Sequence, residues 1–419
     1  VTTRAAVGEM VVADCSQFFP DRYENPLWKV PKCVIIWGNN PLVSSPDGFL
    51  GYWLVECMKR GTEIMVVDPR RTWLATRAKV WMQIRPGTDS ALALGMLNVI
   101  INEKLYDEKF VKNWTYGFDE LKKRVQEYPP DKVSEITWIP AEQIIEAARF
   151  YAASKPAAIQ WGVAIDQTKE CIPTIHALVA LWSLTGNMDV PGGNIIKGNI
   201  PGAEVLLGWG YDLLPEVQRE KAIGVKDYPL LKWSKYYKGD AVIDQMLTGK
   251  PYPIKASWIQ TTNTFVCGAA DSRRTYQAFK GLEFNVVVDL FMTPSAMAFA
   301  DIVLPAAMYP ERDGIAASPI TTFIGTINKA VEPVGECKSD MEINLEMGKR
   351  LNPEAWPWKN VHEMFDEMIK MSGMTFEELR DKGYVYGNFQ YGKYEKGLLR
   401  PDKKAGFNTP TGKVELYSK

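Results

Sequence analysis

The apolar positions of this chain alternate between two kinds of run. "CVIIWG" (from Cys33), "EIMVVD" (from Glu63), "PAAIQWG" (from Pro156) and "VVVD" (ending at Asp289) are short, β-branched and almost free of polar residues. Such runs predict strands buried on both faces. "DGFLGYWLVECMKRG" and "DSALALGMLNVIINEKL" instead show helical periodicity. The first stops at Gly61, a suitable residue just past a helix end, and the second starts at Thr88 or Asp89, either of which can cap it. "CIPTIHALVALWSLTGNM" is apolar on most faces and predicts a buried helix. Strand and helix therefore alternate, which gives an α/β class. From about Asn194 to Pro253 the pattern weakens into Gly, Pro, Trp and Tyr mixed with short charged runs. It then returns as strand "IKASWIQ", helix "DSRRTYQAFKG", strand "EFNVVVDLF", a short helix "TPSAMAFA" and strand "DIVLPAA". The last seventy residues or so read as Lys/Glu-rich helix and loop.

Two of the strand–helix–strand units share a layout. The first places Asn39-Asn40 after one strand and Asp68 after the next; the second places Asn263 and Asp289 in the same way. The spacings are similar, 28 positions from Asn40 to Asp68 and 26 from Asn263 to Asp289. In open parallel sheets the first such turn faces a phosphate, and an acid about twenty residues on reaches ribose hydroxyls. The usual G-x-G-x-x-G fingerprint is absent from "WGNNPLVSSPDG". The repeat thus points to two nucleotide-like ligands, or to one large ligand held by both halves. The plainer alternative is that strand ends often carry Asn and Asp as turn residues.

Composition narrows the choice. The 419 residues suffice for two or three domains, and 46% hydrophobic with 24% charged residues is ordinary for a globular protein. Lys plus Arg is 49 against 50 for Asp plus Glu, so nucleic acid and anionic membranes have no electrostatic support as partners. No apolar run has the length of a membrane span. The six cysteines are scattered without a C-x-x-C pair, so no zinc or iron–sulfur site follows from spacing. Cys33 and Cys57 sit in apolar stretches as small hydrophobes. The only histidines are His176 and His362.

Four segments, "VIIWGNNP", "VVDPRRTWLATRAKVWMQIRPGTDSALALGMLNVII", "WSLTGNMDVPGGN" and "VVVDLFMTPSAMAFADIVLPAAMYPERDG", resemble the molybdopterin-dependent oxidoreductases of the dimethyl sulfoxide reductase family, in that family's order. The run from "VVADCSQFFP" to "VECMKRG" looks most like the catechol dehydroxylases and related anaerobic enzymes. The resemblance implies two Rossmann-like, doubly wound domains, one inserted in the other. The inserted domain would cover 32–193; the interrupted one 1–31 and 194–350; and 351–419 would be a tail leading to a C-terminal cofactor-binding barrel. An N-terminal domain with a [4Fe–4S] cluster is expected upstream, so the chain is expected to be a fragment, inactive alone.

The implied cofactor is molybdenum or tungsten held by two molybdopterin guanine dinucleotides. Residue by residue, Gly38, Asn39, Asn40 and Pro41 match the turn contacting one dinucleotide, Asp68, Pro69 and Arg70 its ribose segment, and Gly87, Thr88 and Asp89 the segment reading guanine. Asn263, Asp289 and Thr293 match contacts of the second. The metal ligand is expected upstream of Val1; Cys15 falls after the segment that follows the ligand in relatives. Lys197 stands where formate dehydrogenases carry an Arg near the metal, which counts against formate, since Lys is a point charge and not a planar fork. Gln167 matches a position near the cofactor; His176 is either a core histidine or a proton carrier near the metal. The implied activity is two-electron chemistry on a small molecule, with reductive dehydroxylation of a catechol-like substrate the specific reading. Hydratase or transhydroxylase chemistry on the same scaffold, or a cofactor-less binding module, are the rivals. An iron–sulfur electron-transfer subunit and twin-arginine export toward the cell envelope complete the expectation.

Overall fold

The computed structural model describes residues 18–22, 27–44, 49–196, 214–229, 231, 237–268, 271–318, 323–387 and 390–417. They pack as two compact units. The first contains β1 (Phe18–Pro20), β2 (Cys33–Trp37), β3 (Glu63–Val67), β4 (Val80–Met82), β5 (Thr115–Tyr116), β6 (Ala157–Trp161) and β7 (Asn194–Ile196). Four of these form a parallel sheet in the order β4-β3-β2-β6. In register, Trp37 at the end of β2 stands between Val67 of β3 and Trp161 of β6.

All five residues of β2 are buried, because the sheet is covered on both faces. Alternation along the strands divides the core. Cys33, Ile35, Trp37, Met65 and Val67 pack on one face with residues of the helices Asp89–Asn102, Ala141–Ala153 and Cys171–Leu184. Val34, Ile36, Ile64 and Val66 pack on the other with Trp53, Leu54 and Cys57 of the helix Phe49–Lys59. Gly61 follows that helix at φ +94°, as its sequence position suggests. The outer edge of β6 is closed by side chains: Asn187 Oδ1 accepts the Ala157 N–H at 2.8 Å, and the Asn194 amide pairs with Ile159 N–H and C=O at 2.8 and 3.0 Å.

The second unit holds β8 (Ala256–Gln260), β9 (Phe284–Asp289) and β10 (Ile302–Pro305), parallel in the order β10-β9-β8. Val287 packs with Ile259, Phe279 and Phe299 on one face, Val286 and Val288 with Ile343 on the other. It also holds an antiparallel sheet of β11 (Gly314–Ser318), β12 (Phe323–Ile327) and β13 (Tyr384–Tyr386), backed by Ile369 and Leu379 of two helices. Parallel sheets with packed helices bear out the α/β class.

Three segments fall elsewhere than the expected domain limits. β1 pairs antiparallel with β7, and both belong to the first unit. Residues 390–417, expected in a tail, return to that unit, where β14 (Val414–Glu415) lies parallel to β5 and Tyr394 stacks on Phe407 at 5.1 Å. Residues 361–387, read as helix and loop, also supply β13 to the second unit. The local pattern concealed this, because such short strands are held by partners far away in sequence.

Candidate functional site

The first unit brings its predicted residues to one place. Gly38 to Pro41 follow β2, Asp68 to Arg70 follow β3, Gly87 to Asp89 follow β4, and Gly162 to Gln167 follow β6, so all lie at the carboxyl edge of the parallel sheet. The chain builds outward from β2 through β3 to β4 on one side and adds β6 on the other. The point where the direction reverses, between β2 and β6, leaves a crevice where ligands of parallel sheets bind.

The two loops flanking that crevice touch. Gly38 has φ +58°, and a Cβ there would lie 2.9 Å from Ala164 Cβ. A Cβ on Gly162 would lie 2.6 Å from Asn39 Cβ and 2.8 Å from the Gly38 carbonyl oxygen. Gly162 was not singled out from sequence; the signal was a Trp-Gly strand end in "IQWG" that matches the one in "IIWG". The Asn40 carbonyl accepts from Val43 and Ser44 N–H at 2.9 Å each, closing the short helix Pro41–Ser44. The Asn40 amide oxygen Oδ1 is buried with no hydrogen-bond partner. A buried acceptor without a donor is costly, and a ligand donor is its natural complement.

Asp68 is buried; its Oδ1 accepts the Arg70 N–H at 2.7 Å, and its backbone carbonyl accepts the Trp81 indole N–H at 2.9 Å. Thr88 stands at the cap position of the helix Asp89–Asn102 but does not cap it with its side chain; its hydroxyl donates to Arg85 C=O at 2.7 Å. Asp89 opens the helix, and its Oδ1 accepts the Trp37 indole N–H at 2.9 Å. Burial pushes the Asp89 carboxyl above the usual carboxylate range, while the Trp37 and backbone hydrogen bonds oppose that rise. Trp37, read from sequence only as a strand residue, thus reaches the site.

A raised carboxyl has a consequence for the cofactor-free protein. Its contribution to stability is complete below the unfolded value and is lost as pH rises through the folded one. Asp89→Asn is therefore expected to raise the melting temperature at pH 7, with the gain vanishing as the pH is lowered through the carboxyl's raised range. A series of thermal melts from pH 4 to 8 checks this; a gain that is constant with pH would show that ionisation of Asp89 plays no part.

In the second unit Asn263 follows β8, while Asp289 ends β9 and Thr293 lies in the loop after it. Asn263 Oδ1 accepts from the Ser295 hydroxyl at 2.7 Å, tying the two strand-end loops together. Asp289 Oδ1 accepts the Leu290 N–H at 2.7 Å, and the Thr293 hydroxyl caps the helix Pro294–Phe299 by accepting the Ala296 N–H at 3.3 Å. Ser295 gave no sequence signal, because its role depends on a partner 32 positions away.

The remaining candidates separate. Gln167 ends the helix Val163–Asp166 in the loop after β6. His176 Nε2 lies 2.9 Å from the Glu415 carbonyl, and burial holds its pKa below the ordinary value. The contact ties the β14 segment to the helix Cys171–Leu184. Lys197 and Cys15 lie outside the described residues. Among the described residues no group of three or more His, Cys, Asp or Glu could hold a metal ion, and no helix is long and apolar enough to cross a membrane. Cys33, Cys57 and Cys171 are buried.

Comparison with known proteins adds to this geometry. The family model described as Molybdopterin oxidoreductase matches residues 23–350. The chain is 36% identical over 398 residues to "Acetylene hydratase" of Syntrophotalea acetylenica, covering 87% of this chain and 52% of that protein. It is 31% identical over 371 residues to "Formate dehydrogenase H" of Escherichia coli strain K12, covering 84% of this chain and 50% of that one. The solved structure of acetylene hydratase from Pelobacter acetylenicus superposes with a TM-score of 0.85 at 32% identity, over 100% of this chain and 58% of its own. The chain spans about half the length of the curated relatives it matches.

Proposed function

The chain belongs to the molybdopterin oxidoreductase family, and on that premise we propose that its two α/β units hold the two guanine dinucleotide arms of a bis-molybdopterin cofactor. The observation that carries this reading is the carboxyl edge of the first sheet, where four strand-end segments meet and Asn40 Oδ1 stands buried without a donor. The residues fit the group. Gly38 to Pro41 form a turn that backbone and ligand can approach closely, Asp68 offers a carboxylate to a ribose, and Asp89 offers one to the N1–H and N2–H₂ donors of guanine. Asn263, Asp289 and Thr293 occupy comparable strand ends in the second unit. Two Rossmann-like domains, one inserted in the other, are the architecture this reading assumes.

When bound, the cofactor supplies a molybdenum or tungsten centre for two-electron chemistry; the protein binds, orients and shields it. The specific reading is reductive dehydroxylation of a small catechol-like aromatic, fed by an iron–sulfur electron-transfer subunit in the cell envelope, with a [4Fe–4S] cluster beside the cofactor. Lys197 is proposed as a cation near substrate and Gln167 as a cofactor neighbour. A second reading, non-redox hydration, is favoured by the 36% identity to acetylene hydratase. The test is metal and guanine analysis of the purified holoprotein, followed by assay with and without an electron donor. Molybdenum or tungsten with two guanines per chain supports the proposal, and none refutes it. Turnover that needs a reductant selects dehydroxylation, whereas addition of water without one selects hydration.

Asn40→Ala separates a ligand contact from a structural one. Removing an unpartnered acceptor leaves the cofactor-free protein equally or slightly more stable. Losing a donor–acceptor pair to the ligand costs about 1–3 kcal/mol, so guanine retention after dialysis falls. Full retention in this variant would remove Asn40 from the cradle.

A further inference from the structure

We propose that Trp37 is the positioning residue for guanine recognition, its indole N–H holding Asp89 Oδ1 so that the carboxylate meets the ligand in one fixed orientation. The inference rests on the assignment of Asp89 to guanine made above. Trp37 is fully buried at the end of β2 and packs in the core with Met65 and Val67. From there its Nε1 reaches Asp89 Oδ1 at 2.9 Å, across 52 positions of sequence. The bond links the strand beside the crevice to the segment that follows β4.

The choice of acceptor is the informative part. A buried indole N–H needs only a carbonyl, which is how Trp81 is satisfied by Asp68 C=O at 2.9 Å. Trp37 instead meets a carboxylate, and burial makes that carboxylate harder to ionise. Fold stability alone does not favour this arrangement, since desolvating a charge costs more than one hydrogen bond returns. Such costs are characteristic of binding sites. A carboxylate has about four acceptor positions. The indole bond and the residue's own N–H use part of the carboxylate and leave acceptor positions for two parallel donors, the pattern on the guanine edge. Fixing the carboxylate beforehand removes an ordering cost from binding.

The surroundings contain few competing charges. The groups acting on Asp89 are the Trp37 indole and its own helix-start N–H, and no ionised side chain among the described residues adds to them. Of the neighbouring strand-end charges, the Arg85 guanidinium lies 5.2 Å over the Trp138 ring, and Arg70 Nε is 3.9 Å from Asp68. Removing the indole N–H therefore leaves burial less opposed, and the carboxyl rises further. Guanine binding needs the ionised form, so binding declines as pH falls through that value.

The experiment compares wild type, Trp37→Phe and Asp89→Asn of the full chain, cofactor-free, with GDP and ADP as calorimetric probes from pH 5 to 8. Trp37→Phe is expected to weaken GDP binding about tenfold at pH 7 and to leave ADP unchanged. It should also move the acid limb of GDP binding to higher pH. Asp89→Asn is expected to lose the preference for GDP over ADP. If Asp89→Asn keeps that preference, the guanine assignment itself fails. If Asp89→Asn loses it while Trp37→Phe matches wild type in affinity and pH profile, the guanine assignment stands and the positioning role is overturned. Should Trp37→Phe not fold, the ¹⁵N indole resonance of Trp37 in wild type replaces it. That signal must titrate with Asp89 and shift on GDP addition, and a resonance unmoved by both overturns the proposal.

Discussion

Asp189→Ala is expected to destabilise the first unit by about 3–5 kcal/mol, the largest effect of any single change considered. The Asp189 carboxylate is fully buried, and three donors converge on it. Oδ1 accepts from Lys393 Nζ at 2.8 Å and from Ile196 N–H at 3.1 Å, and Oδ2 accepts from Lys393 N–H at 2.8 Å. The backbone takes part as well, since Asp189 C=O accepts the Gly392 N–H at 2.9 Å. Truncation leaves a nearly buried ammonium and two amides without acceptors, and only removal of the partner charge relieves this. A double change, Asp189→Leu with Lys393→Met, should therefore cost less than Asp189→Ala alone. Asp189→Asn should fall between, because it keeps an acceptor and tolerates the left-handed φ of +51°. Urea denaturation measures the loss, and limited proteolysis should release residues 390–417 from the alanine variant first. Equal stability of wild type and Asp189→Ala would mean that the segment is held elsewhere.

Gly162→Ala is expected to leave the fold intact and strip the cofactor. The added methyl would stand 2.8 Å from the Gly38 carbonyl oxygen and 2.6 Å from Asn39 Cβ, and a backbone atom cannot rotate away. Overpacking of this kind costs about 1–3 kcal/mol. The loop that gives is the Gly38–Asn40 turn, so the loss appears as cofactor affinity, about tenfold or more. The control is Gly61→Ala, where φ is +94° but nothing lies within 4 Å of the new methyl. That variant carries backbone strain alone and should keep its cofactor. Guanine and metal per chain, with circular dichroism as the folding check, decide the matter. Equal loading of the Gly162 variant and wild type would separate the switch point from the cofactor site.

Much of the candidate site is legible in the sequence, for a local reason. A strand buried on both faces is a continuous apolar run, and the polar residues that end it mark the sheet's carboxyl edge. "VIIWGNN", "MVVDPR" and "VVVDLF" each show that transition, so Asn39, Asn40, Asp68 and Asp289 could be placed at strand ends from order alone. Other parts were not legible. The Thr88 hydroxyl turns to Arg85, although its position and type suggest a cap. His176, in an apolar helix, reads more as a core residue than as a proton carrier, and its partner, the Glu415 carbonyl 239 positions away, leaves no local signal.

The sequence by itself determined the α/β class, the positions of most strands and helices in both units, and which residues end the parallel strands, because hydrophobic period and turn chemistry act within a few residues. The tertiary structure alone decided which strand ends are neighbours, that Gly162 faces Gly38, that Trp37 holds Asp89, and that residues 390–417 fold back onto Asp189 and Asp21. These are contacts between segments 50 to more than 300 positions apart. Sheet order and the burial of charge fix them, and neither leaves a trace in the local pattern.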